Sequence, residues 1–344
     1  MIFPVMKLRN LANQTLLCGL VLACAALPAH ADKKNQLEKP MAGPRATALR
    51  ISWIYVAPDT SSQKLDRVQI GRELVVAEKS GPWVRIYANT DIQEAQDKDA
   101  PILGTDEAPP PISGWMAAKG IVVETTAGGD QVLMGEAANQ ESLASDPRGP
   151  ANAAQSARLL YRRLVEMFPN SPLVPEAAWR AADIQWQIQK ADVSTRPSAR
   201  EKENWLRAQM DEDEMKKVIK LYPHTRQADL AAFSLIDNKL CGDWQGTTQC
   251  PAKESEVYEK YAIEHPDGPR TAQAIYLAVY RQAVLTDMYA SNGDDKKSEN
   301  AKSHAHELAA KLKDHFAGSD FAWRAGALVF KLDEGIPVYG IDRD

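Results

Sequence analysis

Motifs that carry chemistry are scarce in this 344-residue chain. It has no Gly-x-Ser-x-Gly elbow, no phosphate-binding loop and no glycine-rich dinucleotide fingerprint, which removes the sequence marks of the common hydrolases, nucleotide-handling enzymes and nicotinamide enzymes. Basic charge is not in excess. Lys and Arg number 41 against 46 Asp and Glu, for a formal charge of −5, so the concentrated basic face that phosphate backbones require is missing and nucleic acid is not an expected partner. Histidines number six. His304 and His306 stand two apart on an expected helix, about 200° around its axis, and cannot share a metal; His315 adds no ligand spacing. These histidines read as surface residues, and no metal or cofactor is expected. The acidic run 211–214 lacks the glycine turn of a cation loop and reads as a solvated helix face.

Long apolar runs are confined to the N-terminus. Lys7 and Arg9 precede the stretch 16–27, which closes on Pro28-Ala29-His30-Ala31 before Asp32-Lys33-Lys34. The stretch is too short for a permanent membrane span and reads as a secretory signal cleaved after Ala31. Val21-Leu22-Ala23-Cys24 offers an alternative as an imperfect lipidation box, with membrane contact through Cys24 if it is used. Removing 1–31 takes Lys7 and Arg9 away, and the formal charge of −5 becomes −5 − 2 = −7.

Cysteine is equally sparse. Of four, Cys18 and Cys24 lie in the signal, leaving Cys241 and Cys250 around Gly242-Asp243-Trp244-Gln245-Gly246. In an exported chain a disulfide is the expected state of that pair. It would clip the connector between two helix pairs, and it leaves no free thiol for a Cys-His peptidase. Paired carboxylates for glycan cleavage are abundant in number but unplaced by sequence.

What the second half does contain is a recurring signature: Phe168-Pro169-Asn170-Ser171, Tyr222-Pro223-His224-Thr225, His265-Pro266-Asp267-Gly268 and, degenerate, Phe316-Ala317-Gly318-Ser319. It reads as the end of one helix and the start of the next. Ser171, Thr225, Gly268 and Ser319 are N-cap types, with Pro172 and Pro269 suited to a first helical turn. Eight residues past the proline position stand Ala177, Ala231, Ala274 and Ala325, small enough for two helices to approach closely. Two further on stand Trp179, Phe233, Tyr276 and Ala327. Copies of helix, tight turn and helix imply an irregular stacked array in which each pair buries its apolar face on the next. Long helices are expected over 199–222 and 295–316.

The first half has a different period. Short alternating segments with Trp53, Tyr55, Val75-Val76, Trp83-Val84-Arg85-Ile86-Tyr87 and Gly114-Trp115, separated by turn residues, read as the strands of a small barrel. The order Tyr55-Val56-Ala57-Pro58, Gly71, Val75-Val76, Gly81-Pro82-Trp83-Val84-Arg85-Ile86 and Gly114-Trp115 resembles the bacterial Src homology 3 (SH3-like) domain, which in several families binds peptidoglycan. The resemblance covers about eighty residues. An acidic, proline-rich insertion through Pro109-Pro110-Pro111 departs from it, and such an insertion is expected to shadow the groove that relatives use. Trp53, Tyr55, Trp83 and Trp115 are the candidate ligand-binding residues; the competing assignment places Trp83 and Trp115 in the barrel core.

The helical half, through Phe168-Pro169-Asn170-Ser171-Pro172-x-x-Pro175-Glu176-Ala177-Ala178-Trp179, is similar to tetratricopeptide proteins of the Gram-negative periplasm, including outer-membrane assembly lipoproteins and Tol-Pal-associated division coordinators. That resemblance implies a protein-binding surface.

The expected layout is a multi-domain β + α chain: signal peptide 1–31, N-terminal linker 32–47, SH3-like β-barrel 48–125 with the inserted loop 88–113, linker 126–150, tetratricopeptide-like helical repeat domain 151–335 and C-terminal tail 336–344. The expected function is that of an exported, periplasmic, non-enzymatic adaptor, with the barrel on peptidoglycan or a peptide and the repeats on an envelope protein client. The alternatives are a lipid-anchored outer-membrane assembly component, and a cell-wall hydrolase or peptidase accessory protein.

Overall fold

The computed structural model describes residues 43–88, 90–91 and 112–338. The expected signal segment with Cys18 and Cys24, most of the N-terminal linker, most of the loop 88–113 and residues 339–344 lie outside the described residues.

Seven strands come first: β1 Arg45–Ala48, β2 Ser52–Tyr55, β3 Lys64–Val68, β4 Glu73–Ser80, β5 Trp83–Ala88, β6 Ile112–Ala117 and β7 Ile121–Val123. They form one antiparallel sheet in the order β3-β2-β6-β5-β4-β1-β7. The sheet is open, with β3 and β7 at its edges, where the alternating pattern predicted a closed barrel. The inner face follows from strand alternation. Ile54, Val68, Leu74, Val84, Ile86 and Met116 are buried together with Ala46, Ala48 and Ala88. Gly114 is required for this packing, because a Cβ there would stand 2.4 Å from Ile54 Cγ2 and 2.8 Å from the Tyr55 carbonyl oxygen.

Nine helices follow among the described residues: α1 Gly129–Ala144, α2 Ala153–Met167, α3 Val174–Thr195, α4 Asp213–Leu221, α5 Arg226–Ser234, α6 Gln249–Glu264, α7 Thr271–Ser291, α8 Asp295–His315 and α9 Asp320–Asp333. Each packs on a sequence neighbour, α5 and α6 are joined through the 3-10 turn Leu235–Lys239 and the Phe233, Tyr258 and Tyr261 rings, and α3 also meets α5 and α7 meets α9. None is long and apolar enough to cross a membrane.

The four signature turns end their helices alike, although only the second places a residue, His224, at positive φ. Phe168, Tyr222, His265 and Phe316 each terminate a helix at φ between −126° and −133°. Each donates its N–H to the carbonyl four residues back, at 2.8 to 3.0 Å. This satisfies one of the carbonyls a helix end leaves open. Ala177, Ala231, Ala274 and Ala325 are all fully buried. The restart is less uniform than the signature suggests. Thr225 and Ser319 cap α5 and α9, accepting from Ala228 N and Ala322 N at 3.2 Å each. Ser171 and Gly268 do not cap. Their carbonyls accept from Val174 and Thr271 in one extra turn of backbone, so Leu173 and Arg270 become the cap positions and Pro172 and Pro269 precede the helices.

Two further expectations are corrected. The stretch 126–150 contains a helix, α1, rather than only a linker. Its buried stripe of Gly129, Leu133, Ala137 and Gln140 is made mostly of small or polar residues, which hides a helix from a hydrophobicity pattern. A Cβ at Gly129 would stand 2.4 Å from Phe168 Cζ, so the glycine admits the first turn aromatic. The helix expected over 199–222 is broken. Short 3-10 turns occupy Pro197–Arg200 and Asn204–Leu206, and α4 begins only at Asp213. The buried Asn238 amide holds Met210 outside any helix through both its N–H (3.1 Å) and its carbonyl (2.9 Å), in place of the helical bonds.

The sheet and the helices belong to one compact unit, Met41–Asp344. Arg163 on α2, 2% exposed, sits at their junction. It reaches Glu73 of β4 at 2.8 Å, Asp91 at 2.9 Å and the Gly71 carbonyl at 3.3 Å, and also bonds Glu166. Arg45 joins Glu73 and Glu166 from β1. Gly71, at φ +80°, brings its turn so close that a Cβ would lie 2.6 Å from Leu159 Cβ.

Candidate functional site

Alternation along β2, β5 and β6 sends every second side chain to the face opposite the core. With Ile54, Val84, Ile86 and Met116 inside, Trp53 and Tyr55 of β2, Trp83 and Arg85 of β5 and Trp115 of β6 take the outer face. The register aligns them. Tyr55 lies opposite Trp115, and Trp115 lies opposite Arg85. Tyr55 and Trp83 meet edge to face with ring centroids 5.6 Å apart. All four aromatics named from sequence are therefore brought to one sheet face. Trp83 and Trp115 are half-buried there and do not fill the core, where Val84, Ile86 and Met116 stand instead.

Trp53 is 41% exposed and flanked by cations. Lys64 Nζ lies 4.6 Å and the Arg67 guanidinium carbon 5.3 Å from its ring centroid. Attraction to the ring quadrupole holds both heads beside the indole. Sequence reasoning missed Lys64, Arg67 and Arg85. Arg67 meets Trp53 because the β2–β3 register sets the two opposite each other, with a shift between Ile54 and Tyr55 that brings Lys64 opposite Tyr55, and such a register has no local sequence mark. The face can stack flat or CH-rich groups on its rings and meet anionic groups at its cationic margin.

Two depressions mark the helical half. One, of about 210 Å³, opens between α2, α3 and α4 and is walled by Val165, Ala178, Ala181, Val218, Leu221 and Tyr222, with Arg162, Glu166, Glu214 and Lys217 at its rim. Glu214, from the acidic run 211–214, binds Arg158 at 2.6 Å, while Glu212 binds Lys216 and the Asn238 amide, each at 2.9 Å. That run thus ties α4 to its neighbours and is more than a solvated face.

The second depression, of about 360 Å³, is lined by Met134, Ala138, Glu141, Ser142, Tyr161 and Arg180 among others. Tyr161 donates its hydroxyl to Glu141 at 2.8 Å, and burial together with that carboxylate pushes the phenol well above its usual range. Arg180 bridges Glu141 and Glu176, 2.9 Å from each, and Gln227 donates to Glu176 at 2.8 Å. Burial opposes the charge on Glu176, yet the bonds from Gln227 and Arg180 outweigh it and hold the carboxyl below its ordinary value. Every group in this chain is occupied with another, which suits fixed helix spacing.

Cys241 and Cys250 form a disulfide. It closes the connector ahead of α6. His304 bonds Glu259 at 2.9 Å and His306 bonds Asp333 at 3.0 Å. No group of three or more potential metal ligands is gathered among the described residues.

No protein-family model matches the chain, and no curated protein matches it.

Proposed function

We propose that this chain is an exported, non-enzymatic adaptor of the cell envelope. Its strand-built head, read as SH3-like, engages peptidoglycan or an extended peptide. Its helical half, read as a tetratricopeptide-like array, holds a protein partner. The observation that carries the reading is the outer sheet face on which Trp53, Tyr55, Trp83 and Trp115 stand together with Lys64 and Arg67 beside Trp53. Sugar rings and peptide backbones offer flat faces for such rings, and the free carboxylates of wall stem peptides offer partners for the cations. The disulfide accords with an oxidising compartment. Tethering at the wall would raise the local concentration of the helical surface near its client.

Co-sedimentation of the purified chain with peptidoglycan sacculi tests the wall-binding half. Retention is expected, weakened about five- to thirtyfold by Trp53→Ala, since cation–π and stacking contacts of this kind contribute on the order of 1–2 kcal/mol. No retention, or retention indifferent to Trp53→Ala and Trp115→Ala together, removes this face as the binding site.

A further inference from the structure

The side of α9 turned away from the core carries Trp323 and Phe330, 66% and 61% exposed. Gly326 and Ala327, also exposed, lie between them. The spacing i, i+3, i+4, i+7 puts the four on one stripe. Positions at the same distance from the earlier signature turns are covered. Trp179 packs into the cluster built with α4 and α5. Phe233 meets Tyr258 and Tyr261 of α6, and Tyr276 meets Phe321 of α9. On α9 the tenth position is Ala327 and the thirteenth is Phe330, and no following helix lies over them among the described residues. The helix-stacking interface thus continues to the surface and stops there uncovered, although the end of such an array ordinarily presents a polar face.

The stripe is also its own complement. Two α9 helices packed antiparallel about a two-fold axis between Gly326 and Ala327 place Trp323 of one copy on Phe330 of the other. Gly326 then meets Ala327, and the small pair lets the backbones approach while the aromatics close both ends. Such an isologous patch is what a symmetric dimer requires. The same operation sets Asp320 near the second copy's Asp333, but these carboxylates are already paired, Asp320 with Arg324 at 2.7 Å and Asp333 with Lys302 at 3.2 Å and His306 at 3.0 Å. We propose that this chain forms a homodimer through α9, with a second copy covering the stripe.

The probe is Gly326→Glu. A Cβ at Gly326 meets no atom within 4 Å, so the single chain accepts the side chain and its helix propensity rises, while a charge is set at the centre of the interface. In analytical ultracentrifugation the full chain is expected at twice the mass of one copy, dissociating on dilution. Gly326→Glu is expected to raise the dissociation constant at least about a hundredfold with unchanged far-ultraviolet circular dichroism. The register has its own readout. Ala327→Cys is expected to crosslink to its counterpart on oxidation, whereas Trp323→Cys, displaced from its counterpart by roughly 10 Å along the axis, is not. A chain that stays monomeric at every attainable concentration overturns the proposal. So does a dimer indifferent to Gly326→Glu, or a reversed crosslinking pattern. A monomer that dimerises only when cut after Val338 also overturns it, since residues 339–344 would then be the cover.

Discussion

Arg163 decides more at the scale of a single residue than any of the aromatics. Its side chain is 2% exposed and its guanidinium has two carboxylates within 2.9 Å in addition to Glu166. A buried cation is tolerated only when paired, and removing it strands Glu73 and Asp91 without compensation. Arg163→Met is expected to destabilise by about 3–5 kcal/mol in chemical denaturation. Glu73 supplies a pH signature of the same cluster. Burial works against its charge, but bonds from Arg45 and Thr90 and the field of Arg163 and Arg45 prevail, holding its carboxyl below the ordinary 4.5. A carboxyl depressed in the folded state contributes stability that is fully present above the unfolded value and is lost as pH falls through the folded one. Denaturation midpoints are therefore expected to fall as pH drops below about 4.5, with a shallower fall in Glu73→Gln. An acid limb unchanged by that substitution would assign the loss to other carboxylates.

Helix ends and connectors set the outcome at the scale of elements. Thr225 and Ser319 accept from the third backbone N–H of their helices, so Thr225→Ala and Ser319→Ala are each expected to cost about 1 kcal/mol. Gly268 does not cap, yet Gly268→Ala is expected to be destabilising for a different reason, since a Cβ there would stand 3.1 Å from His265 Cβ, from the His265 carbonyl oxygen and from Thr271 Oγ1. The Cys241–Cys250 bridge closes a loop with a sequence separation of 9. Its removal by Cys241→Ser with Cys250→Ser is expected to lower stability by about 2.5 kcal/mol in the chain-entropy model. Legibility divides along the same lines. The signature turns were readable because an aromatic followed by a helix-breaking residue acts locally, and Trp53, Tyr55, Trp83 and Trp115 could be named as candidates because strand alternation is local too, but alternation alone leaves open which face of the sheet Trp83 and Trp115 take, core or ligand side. What escaped was non-local. Met210 is outside any helix because Asn238, 28 residues away, holds it; α1 is helical because a narrow stripe of Leu133 and Ala137 finds α2; Arg67 reaches Trp53 because the β2–β3 register sets them opposite each other.

Taken as a whole molecule, the sheet and the helices share a junction in which one turn glycine, Gly71, lies against α2 while Arg163 bonds its carbonyl and the carboxylates of Glu73 and Asp91. In the proposed adaptor, two surfaces that belong to one compact unit would transmit position, because they keep a fixed relation instead of searching on a loose tether. That rigidity is energetic and can be removed. Hydrogen exchange is expected to give the core amides of β4 and β5 protection comparable to those of α2 in the native chain, since they open together. In Arg163→Met the strand amides are expected to exchange at least about a hundredfold faster. The amides of α7, whose core of Ala274, Ala278, Val279 and Leu312 lies in a separate cluster, are expected to change far less. Uniform acceleration across α7 and the strands would mean that the molecule unfolds as one cooperative block and that the junction is not where its two halves part.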